Sequence, residues 1–189
     1  MIDLLAKWSK PIVILPFLLL FCYFTFVLFP NYGNQLSEIA GEKVQLLDLY
    51  PNYTKEQVIE LFTKIKAEGR EIHQFVSGRI DMIYPLVYGP LLMLLSSFLM
   101  LKLNPTGRRG LFFAFAVPLL LMLIDYYENF TILQMLGSFP TLDANVVARG
   151  SKLVSFKFLF VVINMGMVVF SVLFWILQYI FEITFGRQR

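Results

Sequence analysis

Four apolar runs, Pro11 to Phe29, Met82 to Leu101, Leu111 to Leu136 and Leu153 to Phe181, constrain this 189-residue chain more than any other feature. Each supplies the ~20 residues that a helix needs to cross the ~30 Å hydrocarbon core of a bilayer, and a helix pairs its backbone groups within the segment. Apolar residues make up 58% of the chain and charged ones 15%, whereas soluble domains carry roughly 25% charged residues. That excess does not fit inside one soluble core. The sequence therefore predicts an all-α, polytopic membrane protein, a single membrane domain built as a bundle of four transmembrane helices. A helical extramembrane loop over residues 30–79 joins the first two. No small-x-small cleavage site follows the first run, so it reads as a retained span rather than a secretory signal.

Basic residues orient the bundle. Lys7, Lys10, Lys102, Arg108, Arg109, Arg187 and Arg189 belong to the termini and the short middle loop, which an even number of spans places on one side. The positive-inside tendency makes that side cytoplasmic, with residues 30–79 and 137–152 outside. The net charge of +3 does not point to nucleic acid, because the basic residues flank apolar runs instead of clustering on a polar face. Cys22 is the one cysteine and His73 the one histidine, which excludes a disulfide framework, a cysteine metal site and a bis-histidine haem within the chain. No metal site or cofactor is assigned, and the expected partners are membrane lipids with either a lipid-like ligand or another membrane protein.

The outer loop carries its own folding signals. Thr54 followed by Gln57 reads as a capping box, and Val58, Leu61, Phe62 and Ile65 then recur on one helical face, with Gly69 as a natural stop. Residues 35–49 form a weaker helical pattern ending at Tyr50-Pro51. Packed together, these segments make a lid over the helix ends.

Ionisable residues inside the apolar runs are the most informative for function, because a charge near the bilayer centre costs at least ~2.5 kcal/mol on insertion scales. In the third run Asp125, Glu128 and Asn129 stand at i, i+3 and i+4; in the second, Asp81, Tyr84 and Tyr88 stand at i, i+3 and i+7; in the fourth, Lys157 and Asn164 are seven apart. Each set shares one helical face. Counted from Leu111, Asp125 lies ~21 Å into the core, in its outer half, at a depth the other two sets also reach. The pattern predicts one site in which Asp125 and Glu128, as acid or base, face Lys157. Asp81, Tyr84 and Tyr88 line the wall, and Arg70, His73 and Arg79 approach from the lid. Two carboxylates against one lysine leave a spare negative charge, to be met by a shifted carboxyl pKa or by a further cation such as Arg149, a metal ion or a substrate. The competing reading is mutual neutralisation that only holds the bundle together. Pro85, Pro90 and Pro118 free backbone carbonyls inside two of these spans.

The run Gly69-Arg70, Asp81, Tyr84-Pro85 and Tyr88-Gly89, followed by Asp125, Glu128 and Asn129, resembles a group of small, uncharacterised four-span membrane proteins over most of the chain. The layout is more loosely similar to the EXPERA superfamily of sterol isomerases and sigma-2-like receptors, which implies a small bundle with acidic residues around a lipid pocket. Their catalytic pattern has no residue-by-residue counterpart here. Three functions compete: a pocket that binds or modifies a lipid-like or isoprenoid molecule, an accessory subunit of a larger membrane complex, and ion translocation. The apolar stretch below Asp125 disfavours the last.

Overall fold

The computed structural model describes residues 2–104 and 108–185; Arg187, Arg189 and the side chain of Arg108 lie outside the described residues. Within them every regular element is helical: α1 (Ile2–Trp8), α2 (Pro11–Ala40), α3 (Lys55–Lys64), α4 (Lys66–Leu103), α5 (Arg108–Ser138) and α6 (Ala144–Phe185). Four of these, α2, α4, α5 and α6, are long and apolar enough to cross a membrane. The helix α5 packs between α4 and α6, α4 also touches α6, and α2 lies against α4 with most of its surface exposed.

Three helices run well past the apolar runs. The first continues to Ala40, the second begins at Lys66 and the fourth at Ala144, so much of residues 30–79 is helix extending the bundle and not loop. At 1.5 Å per residue the 42-residue α6 is ~63 Å long, about twice a bilayer core. These extensions are amphipathic. Leu36, Val76 and Val147 bury one face of them in a common apolar core.

Prolines shape two of the extended helices, α2 and α4. A wide π turn at Phe24–Leu28 precedes Pro30, and a second at Val76–Ile80 precedes Pro85. Proline has no N–H for the carbonyl four residues back, and a locally widened turn lets the chain absorb the missing bond without breaking.

Between α2 and α4 the chain folds back as a flap of residues 41–65. It opens at Gly41, whose φ of 74° ends α2 in the left-handed conformation that glycine tolerates. It closes at Lys66, where φ is 58° in a residue with a side chain, making a sharp corner before α4. Two expectations fail here. Residues 35–49 are not one helix: the helix stops at Ala40, and only a 3-10 turn, Leu47–Leu49, follows. Gly69 does not stop α3; it lies inside α4, close against Ile65 and Leu36, and the chain turns at Ile65–Lys66 instead. The capping box does form: Thr54 N–H donates to Gln57 Oε1 at 2.8 Å, and Gln57 N–H to Thr54 Oγ1 at 3.4 Å.

The molecule's largest apolar core sits at this flap end. Val58, Phe62 and Ile65 of the flap are fully buried with Leu46 and Leu47 against Ile132 and Met135 of α5 and Val147 and Val154 of α6. At roughly 1.5–3 kcal/mol per fully buried side chain, burial here holds the flap to the bundle.

Candidate functional site

The i, i+3, i+4 spacing on α5 places Asp125, Glu128 and Asn129 on the face turned to α4 and α6, and all three are buried. Lys157 of α6 meets them: its Nζ lies 2.7 Å from Glu128 Oε2 and 3.5 Å from Asp125 Oδ1. The contact to Glu128 is short but not aligned as a hydrogen bond. Tyr88 of α4 donates its hydroxyl to Asp125 Oδ2 at 2.8 Å, so both Asp125 oxygens are engaged. Asp81 is also buried, within Coulombic range of Asp125, Glu128 and Lys157.

A third carboxylate comes from the flap. Asp48, in the 3-10 turn, is buried with Oδ2 3.5 Å from Lys157 Nζ. One lysine of α6 is therefore shared by three carboxylates, two from α5 and one from the flap. Spacing along the spans does not single out Asp48, which lies between them. Its signal was present in the run Leu46-Leu47-Asp48-Leu49, an acid flanked by apolar residues, two of which are buried.

Pro85 explains why Asn129 is needed. The Asp81 carbonyl would accept from the N–H at position 85, and proline has none. Asn129 Nδ2 donates to that carbonyl at 3.3 Å from α5, and Tyr126 donates to the next one, Met82 O, at 3.1 Å. Asn129→Leu keeps the volume and removes the donor. It is expected to lower stability by about 1–3 kcal/mol, the cost of an orphaned buried carbonyl, read as reduced thermal stability in detergent; a loss below about 0.5 kcal/mol would contradict this role.

The flap is fastened by hydrogen bonds around the same centre. Leu47 N–H donates to His73 Nε2 at 3.0 Å, which puts the ring proton on Nδ1, where it donates to Ser77 Oγ at 3.2 Å. Tyr53 N–H donates to Ser151 Oγ at 3.0 Å, and Ser155 Oγ donates to Pro51 O at 2.8 Å. The Tyr53 hydroxyl fits against Gly150 of α6, where a Cβ would collide with it. Burial first, then the charge of Glu128, pushes this phenol above its usual range, so it stays an O–H group. Among the described residues, Asp48 Oδ1, Tyr53 OH, Glu128 Oε1 and Asn129 Oδ1 are buried without a hydrogen-bond partner.

A cleft of about 280 Å³ opens in the flap, lined among others by Leu47, Tyr50, Tyr53 and Leu61. Tyr53 belongs both to its wall and to the cover of the carboxylate centre, since its hydroxyl feels Glu128, Lys157 and Asp48.

Other candidates lie elsewhere. Tyr84 shares a hydrogen bond of 2.9 Å with Thr25 of α2 and packs against Phe21, Phe24 and Phe29 of the same helix. Asn164 is buried two turns further along α6, donating to Phe160 O at 2.8 Å. Arg70 donates to Phe62 O at 2.8 Å and covers the Phe139 ring. Arg79 is exposed over Phe75, and Arg149 reaches Gln134 at 3.1 Å. Long flexible side chains find carbonyls and aromatic faces nearer than the buried centre.

Among the described residues no group of three His, Cys, Asp or Glu side chains is disposed to hold a metal ion. No protein-family model matches the chain, and no curated protein or solved structure is significantly similar to it.

Proposed function

We propose that this chain is a multi-pass integral membrane protein with cytoplasmic termini and an outward-facing flap, and that its carboxylate centre binds a lipid-like molecule. Lys7, Lys10, Lys102 and Arg109 at one end of the spans support the orientation. One observation carries the binding reading: three carboxylates share one lysine beneath a flap, while buried polar atoms around them lack partners. A packing device needs one acid for one lysine. Additional buried carboxylates destabilise the bundle unless something else meets them. Such a cost is a feature of sites kept for a ligand or a reaction.

In this reading the ligand's tail lies among the flap and outer helix residues, reached through the cleft beside Tyr53. Glu128 is the carboxylate that faces it, because Oε1 is free, and Tyr88 and Lys157 hold Asp125 in place. If the centre also transforms its ligand, Glu128 is the proton acceptor.

A second reading, an accessory subunit of a larger membrane complex, draws on the exposed apolar surface of α2 and of the later half of α6. Native mass spectrometry in mild detergent separates the two. A stoichiometric small molecule, retained by the wild type and lost in both Asp125→Asn and Glu128→Gln at unchanged helicity, is the expected result. A stable protein partner with no small molecule would overturn the binding reading.

A further inference from the structure

We propose that the head group taken by this site is a primary ammonium, seated between Asp48, Glu128 and the Tyr53 hydroxyl; the inference rests on the lipid-binding reading above and names its ligand class. Composition of the site disfavours the opposite choice. Asp48, Asp125 and Glu128 surround Lys157, and Asp81 is buried nearby, so an anionic head would meet more carboxyl groups than cations. The cations that might have balanced it, Arg70, Arg79 and Arg149, are held by Phe62 O and Phe139, by Phe75, and by Gln134. Among the described residues no lysine or arginine besides Lys157 pairs with these carboxylates; Lys43 and Lys64 stand at the outer cleft, where Lys64 pairs with Glu42 and Glu60.

Hydrogen-bond chemistry narrows the class further. The buried atoms without partners on Asp48, Tyr53, Glu128 and Asn129 are carboxylate and amide oxygens and one phenol, all able to accept. The Tyr53 hydroxyl is independent of the acidic cluster: its side chain is 6% exposed, pressed on Gly150, and has no partner among the described residues. A primary ammonium brings one positive charge and three N–H donors, which match Asp48 Oδ1, Glu128 Oε1 and the Tyr53 oxygen in number and kind. Proton uptake by the carboxyls would supply only one donor per charge removed. Val44, Leu47, Tyr50 and Leu61 on one part of the cleft wall suit an alkyl chain behind the amine, with Glu42, Lys43, Gln57, Glu60 and Lys64 on the rest of it.

The test compares dodecylamine, dodecanol and butylamine as ligands of the purified full chain in neutral detergent by equilibrium dialysis, with binding to empty micelles subtracted. The amine is expected to bind about tenfold more tightly than the alcohol, a difference of about 1.4 kcal/mol. Asp48→Asn should abolish that preference, bringing the amine-to-alcohol affinity ratio to about one. Tyr53→Phe, which removes only the hydroxyl, should weaken dodecylamine a few-fold and leave the alcohol alone. Equal affinity for amine and alcohol in the wild type overturns the ammonium assignment and leaves the lipid site standing. Absence of saturable binding by all three overturns both. Butylamine binding as tightly as dodecylamine supports the ammonium seat and assigns its source to a free small amine in place of a lipid.

Discussion

Lys157→Met should destabilise the protein by about 3–5 kcal/mol, the cost of leaving buried charges without their counterion. Methionine matches the length of lysine and its apolar stem, so packing along α6 changes little. The loss is electrostatic: Asp48, Asp125 and Glu128 each lie within 3.5 Å of the ammonium, and among the described residues none has another cation in contact. Adding Glu128→Gln to Lys157→Met should return part of the loss, because the most buried of the three carboxylates is then neutral. The measurement is denaturant or thermal unfolding of the three proteins in one detergent. A Lys157→Met protein within 1 kcal/mol of wild type would mean that the carboxylates are not charged together around Lys157.

Phe62→Ala should cost about 3–5 kcal/mol, as large-to-small changes in filled cores do, and should do so locally. Phe62 is fully buried at the centre of the flap core, edge-on to the rings of His73 and Phe139, and its carbonyl holds Arg70. The flap is tied to the spans by a few hydrogen bonds and this core, so it forms a unit that opens before they do. Hydrogen exchange should accelerate across residues 41–65 and stay slow in α5. Because Asp48 rides on the flap, retention of a bound small molecule should fall with it. Uniform acceleration throughout the chain would show that flap and spans unfold as one.

Much of this arrangement is legible in residue spacing. The four apolar runs reappear as the four long helices, the capping box closes α3's first turn, and the i, i+3, i+4 pattern brings Asp125 and Glu128 to Lys157. Spacing along one helix fixes which residues share its face, and the shared depth of polar positions fixes which faces meet. What it does not fix is the path of a segment between helices. Asp48 reaches the centre because the chain doubles back at Gly41 and Lys66, and no periodicity within residues 41–50 announces that. Tyr84 shows the complementary limit. It shares a helical face with Asp81 and Tyr88, yet three aromatic rings and Thr25 of α2 draw it sideways to that helix. The helix ends were misplaced for a related reason: hydropathy marks where a span could sit in lipid, while amphipathic extensions continue the same helices beyond it.

The most direct test of a lipid-binding centre under the flap is photolabelling with an alkyl diazirine probe followed by peptide mapping. Specific labelling, competed by unlabelled probe, should fall on residues around Leu47 and Tyr53 and on the first turns of α6 near Ser151, and should vanish in Glu128→Gln. Labelling confined to the exposed surfaces of α2 and the later half of α6, not competed and unchanged in Glu128→Gln, would contradict the account and leave the carboxylates as bundle glue.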